Sequence, residues 1–443
     1  MATTYLSRTF GTATNRKICT FSHWVKMSDS SQQGWFGTYN SGFNFRWGML
    51  SDGTIDAYEH NGSAYIWRRK TNRLFRDYSG YYHLMLVLDT TQSTAGDRVK
   101  IYVNGVQETS FSSSNDPTLN IDLPYANSAI THYVGKHSTE YFNGIMSHVH
   151  FCDGTALAPT VFGETDATTG EWKIKTSPSF TLGTNGFTIL KDGNTITDQS
   201  TNSNDFSLGG GTLTNTEDNP SNVFNVFSDA TSKKAYTSEA GLKVSETASS
   251  WNFGVGGTIG ALSGKYYWEF YKTASSDNFL TGIIPSSEFH RLAESTASAV
   301  YNNANAIQVG ASTSWWYKIG TAGSTTLSGY GHGIGTKSSG LFQLALDLTN
   351  KKMWIGKDGT WYNSGNPATG ANPLWTGSTV FPDDIYVPYW QGYGTVSGRF
   401  NFGGGSFGSD AVASAGTNAS ANGVFELDVP TGFTALSTKG LNL

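Results

Sequence analysis

The chain has 443 residues, 14% of them charged and 14% aromatic, with 52 glycines and a formal net charge of −5. That length suits two domains, and the aromatic content excludes a disordered chain. A mildly acidic sequence with no basic run among its aromatics excludes nucleic acid as the expected partner. Period-two alternation then dominates from the start. "KICTFSHWVKM" (17–27) sets Cys19, Phe21, His23 and Val25 against Thr20, Ser22 and Trp24. "GFNFRWGML" (42–50), "TIDAYEH" (54–60) and "AYIWRRK" (64–70) follow, divided by Ser-Asp-Gly and Asn-Gly turns. "LMLVLDTTQSTAGDRVKIYVNGV" (84–106) reads as a hairpin ending in Asn-Gly, and "YVGKHSTEYFNGIMSHVHFCDG" (133–154) adds a turn and a further strand. "TEDNPSNVFN" (216–225), acidic and aperiodic, reads as a linker. Beyond it, 264–272, 278–285, 340–348, 351–359, 384–391 and 398–407 read as strands, and only "SSEFHRLAESTASAV" (286–300) suggests a short helix. The segment 341–362 repeats the layout of 84–106: an apolar run ending in Leu-Asp, a polar turn, a second β-type run, then Asp-Gly. Many short strands and few helices predict an all-β chain of two tandem sandwiches, 1–218 and 219–443.

No apolar run approaches the length a bilayer requires, so no membrane insertion is expected. The opening "MATTYLSRTFGTATNRK" lacks an apolar h-region, which predicts a protein made in the cytoplasm without a signal peptide. The cysteines, Cys19 and Cys152, are too few for a disulfide scaffold and are expected to be reduced thiols.

The strongest binding signal is aromatic. "STSWWYKIG" (312–320) places Trp315, Trp316 and Tyr317 together, "GTWYNSG" adds Trp361 and Tyr362, and "PYWQGYG" adds Trp390 and Tyr393. Adjacent strand residues point to opposite faces, so Trp315 and Trp316 are not both core. Such side chains offer a flat apolar body with a polar tip, suited to sugar rings or protein surfaces. Ordinary packing at sheet ends explains the same residues about as well. Histidines gather in the first half, and His148 and His150 share a strand face with Cys152. If the first and last strands pair, His23 or Cys19 approaches them, a donor set for zinc or nickel. No known ligand spacing is present, so satisfied strand histidines are the expected reading and no metal is assigned. The pairs beginning at Asp52, Asn61, Asn104, Asp192 and Asp358 read as turns with φ > 0, without the pattern of a calcium loop.

"CTFSHWVK", "YYHLMLVLD…RVKIYVNGV" and "YVGKHSTEYFNGIMSHVHFCDGTAL" together resemble a LamG-like, concanavalin A-type jelly roll over the first half of the chain. "SGKYYWEF", "TGII", "LALDLTNKKMWIGKDGTW", "VPYW" and "RFNFGGGSF" resemble a SPRY domain, also a concanavalin A-like sandwich. Related folds, rather than duplication, then account for the repeated hairpin. The pairing resembles bacteriophage virion proteins: tail-fibre, head-fibre or capsid-decoration components. It implies a non-enzymatic protein on the virion surface, present in multiple copies, with other virion proteins and host-surface polysaccharide as partners. A homo-oligomer fits that setting. No cofactor is implied, beyond one calcium ion held weakly at a loop rim as in some LamG relatives. Jelly rolls of this type also include laminarinase-like hydrolases, whose two carboxyls sit on one strand face. The nearest match, "GETDATTGE" with Glu164, Asp166 and Glu171, is one residue too long and lies in a loop-like segment. The hydrolase is therefore the lesser alternative, with a SPRY-type adaptor behind it.

Overall fold

The computed structural model describes residues 3–28, 30–191, 195–232, 234, 236–249, 254–273, 278–293, 306–311, 315–319 and 339–443, with the backbone alone at 230, 308–311 and 315–319. The chain divides into two compact units, Met1–Leu213 and Thr214–Leu443. The fold is all-β, as two sandwiches in tandem. Helical segments among the described residues are short 3-10 turns, the longest being Ser286–Ala293 in the predicted helix 286–300.

In the first unit an eight-stranded sheet runs in the order Phe111–Asn115, Tyr65–Leu74, Thr54–Asn61, Phe43–Met49, Gln33–Asn40, Thr131–Val134, Tyr5–Thr9, Ser207–Gly210. A six-stranded sheet runs Phe187–Ile189, Gly144–Asp153, Ile18–Met27, Tyr82–Asp89, Val99–Val103, Val106–Glu108. Period-two alternation sends one side of each strand into the space between. Phe21 shows the result: its ring lies 4.7 Å from Phe36, 5.1 Å from Phe45 and 4.7 Å from Phe151, joining both sheets. The opposite side of the six-stranded sheet is also covered, because Phe162, Leu157 and Phe180 pack over Met85 and Val87.

In the second unit a six-stranded sheet runs Phe227–Ser228, Val255–Gly257, Tyr386–Tyr393, Asn278–Pro285, Ile307–Ala311, Trp315–Ile319. The facing sheet is centred on Val396–Asn401, Lys265–Lys272, Gly340–Asp347 and Lys352–Lys357. Trp268, Phe270, Phe342, Ile355, Trp390 and Phe400 fill the space between them. Met353 and Ile355 face this core, as their alternation predicts, and Trp354 faces the other way. That other side is covered as well: Trp354 is 1% exposed among Phe433 and Phe425 and donates through Nε1 to Ala371 O at 2.8 Å.

The expected linker 216–225 is instead integrated into the second unit. Glu217 N donates to Gly404 O, Asp218 Oδ1 accepts from Phe224 N, and Phe224 is buried against Tyr267 and Phe425. Its polar composition serves backbone capping, which sequence alone does not distinguish from solvation. The repeated hairpin is real in both units. Asn104–Gly105 and Asp358–Gly359 have φ of 48° and 79°, and 46° and 82°, the left-handed pair of a two-residue hairpin turn. Upstream, Asp89 accepts from Thr91 N and Asp347 from Asn350 N, so each Leu-Asp caps its own loop.

Candidate functional site

The outer side of the eight-stranded sheet is the best candidate for a ligand-binding face. Antiparallel register sets directly opposed residues on one side. One row across four strands is Tyr39, Asn44, His60, Tyr65, and the next is Gly37, Arg46, Tyr58, Arg68. Tyr39 is 47% and Tyr65 41% exposed, whereas Tyr58 and His60 are half-buried. The Tyr65 ring stands edge-on to Tyr58 at 5.2 Å and to His60 at 5.0 Å, and the Arg68 guanidinium backs it at 4.7 Å. Arg68 in turn grips Asp56 with two bonds, Nε–Oδ1 at 2.8 Å and Nη2–Oδ2 at 3.1 Å. These contacts hold the Tyr65 ring in place before any ligand arrives.

A small hairpin, Lys136–His137 with Glu140–Tyr141, lies on this side of the sheet and walls the site. It fits because residue 34 is glycine: a Cβ there would fall 2.3 Å from His137 N. Beneath the hairpin Arg46, 1% exposed, pairs with Glu140 and donates to Met49 O at 2.8 Å. His137 bonds Glu140 through Nδ1 and stands edge-on to both Tyr39 and Tyr58 at 6.0 Å. Lys136 Nζ sits 4.1 Å from the Tyr5 ring centroid and 5.3 Å from those of Tyr133 and Tyr141.

Of the aromatic rim expected in the second unit, one member lies in the core. Trp390 is fully buried, the clear correction. Its strand, Tyr386–Tyr393, is central in its sheet and covered on both sides: Tyr386 and Trp390 enter the main core, while Val387 and Tyr389 pack with Leu280 and Leu292. Trp361 is half-buried against Tyr267, and Tyr362 is half-buried on the main core, its phenol pushed up to about 12 by burial and by Asp358. Tyr393 is 36% exposed. Trp315, Trp316 and Tyr317 lie in an edge strand, and their side chains lie outside the described residues.

The strands carrying His23 and His150 do pair, but register sends the two to opposite sides of the sheet. His23 points inward, where Trp47 Nε1 lies 3.4 Å from its Nδ1, and burial lowers its pKa to about 3. His150 points outward, bonds Thr188 Oγ1 at 2.9 Å and stacks on Phe162. His148, in a bulge with φ of 49°, has its ring 6.3 Å from that of His150. Among the described residues no three His, Cys, Asp or Glu side chains converge as a metal site. Cys19 points inward and Cys152 outward, where its Sγ lies 2.8 Å from Thr181 O; both are buried free thiols.

"GETDATTGE" forms an exposed hairpin in which Gly163–Thr165 pairs with Trp172–Ile174. Asp166 caps its turn by accepting from Thr168 N and Thr169 N at 2.8 Å, and it pairs with Lys173. Asp166 therefore serves a turn, and Glu164, in the strand Gly163–Thr165, lies 3.8 Å from Lys175 Nζ. Asp52 accepts from Thr54 and Lys70, Asn61 from Ser63 N and Ala64 N, and Asn104 from His83 N, as turn residues do. Asp358 accepts from Leu341 N in the same manner, and Asp192 lies outside the described residues.

Sequence reasoning missed Tyr39, Tyr58, His60, Tyr65 and Arg68. The signal was present in the alternation of Asp56, Tyr58 and His60 against Ile55, Ala57 and Glu59. It also missed two buried carboxylates. Glu59 accepts from Trp67 Nε1 and from the consecutive amides of Tyr125 and Ala126. Glu269 accepts from Tyr267 Oη, Asn401 Nδ2 and the consecutive amides of Glu426 and Leu427. Burial raises each to about 7 against those donors.

Residues 2–161 match the family model described as the Concanavalin A-like lectin/glucanases superfamily. The first unit has a concanavalin A-like fold. None of the curated proteins matches the chain. Among solved structures, domains LG4-5 of the mouse laminin alpha1 chain are similar over 96% of this chain and 93% of that one, at 9% identity and a TM-score of 0.30. The TRIM65 PSpry domain is similar over 39% of this chain and 88% of its own, at 14% identity and a TM-score of 0.28. A heptameric SAP-like pentraxin from Limulus polyphemus is similar over 35% of this chain and 72% of its own, at 16% identity and a TM-score of 0.27.

Proposed function

We propose that the chain is a non-enzymatic binding protein of a bacteriophage virion: a tail-fibre, head-fibre or capsid-decoration component that holds host-surface polysaccharide and contacts other virion proteins. The observation that carries the polysaccharide reading is the row of Tyr39, Asn44, His60 and Tyr65, with an exposed ring at each end. Such rings stack on the apolar faces of sugars while the polar groups between them meet hydroxyls. The match of residues 2–161 to a lectin and glucanase superfamily model supports it. The virion role is supported by the order of LamG-like and SPRY-like segments along the chain. Catalysis is disfavoured because the nearest match to a hydrolase motif forms a hairpin whose turn Asp166 caps.

Mass spectrometry of purified particles tests the virion role: the chain is expected in many copies per particle, and its absence sinks that role. A reducing-sugar assay on β-glucans tests the non-enzymatic part. Turnover abolished by Glu164→Gln or Glu171→Gln would overturn it.

A further inference from the structure

We infer that the ligand of the tyrosine face is a neutral polysaccharide chain lying across the strands, with Tyr39 and Tyr65 stacking on two of its sugars. This rests on reading that face as glycan-binding, and it adds the ligand's charge class and its direction.

The charge class follows from an inventory of the face. Arg46 pairs with Glu140, Arg68 with Asp56, and Lys70 Nζ with Asp52 Oδ2 at 2.9 Å. Lys136 is ringed by Tyr5, Tyr133 and Tyr141. Each of these cations is already engaged, three by carboxylates and one by π-faces. At Arg46, Arg68 or Lys70 a sulfated or uronic acid polymer would need to break a pair and leave a carboxylate facing its own charge. A neutral sugar needs none of that. It asks for ring faces and hydrogen-bonding groups, and both are present. The two exposed rings each carry a phenol hydroxyl, and His60 lies half-buried between them.

The direction follows from register. Tyr39, Asn44, His60 and Tyr65 occupy successive strands at directly opposed positions. With strands about 4.8 Å apart, the outer two stand roughly 15 Å from each other, the reach of about four sugars. A chain lying along the strands meets only one of the two exposed rings, whereas a chain crossing them meets both. The hairpin carrying His137 borders this path beside Tyr39 and Tyr58, so the crossing chain runs along its flank.

The test uses the full chain on an array of neutral glucans, mannans and galactans beside heparin and polygalacturonate, followed by titration of the best binder as a ladder of oligosaccharides. Binding to neutral polymers is expected, insensitive to added salt, with affinity rising with length up to about four sugars and then levelling. Tyr39→Ala and Tyr65→Ala should each weaken it by about tenfold, whereas Tyr39→Phe and Tyr65→Phe should retain most of it, since stacking needs the ring. Thermal melts check that these surface variants stay folded. Salt-sensitive binding to the anionic polymers alone would overturn the neutral assignment and leave the glycan reading standing. Neutral binding that survives both alanine variants would overturn the placement. No binding anywhere on the array would remove the glycan reading itself, together with this inference.

Discussion

Glu59 shows how one side chain can be both indispensable and costly. Its oxygens collect three N–H donors and tie a strand to the loop at Tyr125 and Ala126, yet the carboxyl is fully buried. Burial raises its pKa in the fold to about 7 from 4.5. A raised carboxyl binds its proton more tightly in the fold than in the unfolded chain. Its contribution is therefore complete below about 4.5 and lost as pH rises through about 7. Glu59→Gln removes this titration and turns an amide N–H₂ toward one of the three donors. The expected cost is about 1–3 kcal/mol at pH 6, shrinking toward pH 8, measured by urea unfolding across that range. A cost independent of pH would mean that Glu59 stays ionised throughout.

The two hairpins share a turn but not its surroundings. Gly105 and Gly359 both have φ near 80°, where a Cβ is strained. A Cβ added at Gly359 would meet nothing within 4 Å, but one added at Gly105 would fall 2.5 Å from the Trp172 ring. Trp172 covers the outer side of the six-stranded sheet and donates through Nε1 to His83 Nδ1 at 3.0 Å. Gly359→Ala should therefore cost about 1–2 kcal/mol from the backbone alone. Gly105→Ala should cost roughly 1–3 kcal/mol more, because a packed indole must move. Equilibrium unfolding of both variants decides it, and equal losses would show that Trp172 gives way freely.

Among the described residues the buried imidazoles are unequally shared between the two units. His23 and His83 are lowered to about 3, His132 to about 4, and His150 well below its usual value, each mainly by burial, and all four lie in the first unit. A lowered imidazole is neutral in the fold and charged in the unfolded chain below about 6.5, so its contribution is present above that pH and lost on acidification. Glu59 opposes this with one proton held by the fold. Near pH 5 these imidazoles outweigh Glu59, so the first unit loses stability on acidification. The second unit carries Glu269, also raised to about 7, which works in the opposite direction. Hydrogen exchange read by mass spectrometry at pH 7 and pH 5 should show peptides around Phe21 and Phe151 losing protection while those around Trp268 keep it. Equal loss in both units would contradict this assignment.

What is local in this protein was legible in its amino acids alone. Alternation with a period of two marked most strands, chose the sides of Met353, Ile355 and Trp354, and marked the Asn-Gly and Asp-Gly turns whose positive φ needs no distant partner. What stayed open depended on which strands become neighbours and what covers them. Trp390 alternates like any surface aromatic, but a central strand covered on both sides buries it. His23 and His150 lie on paired strands, yet register sends them to opposite sides of one sheet. Tyr39, His60 and Tyr65 are scattered through three strands and join as one row only when antiparallel pairing sets them opposite one another. Side-chain direction along a strand follows from bonded geometry, whereas exposure and company follow from long-range pairing, and the candidate site is made of the latter.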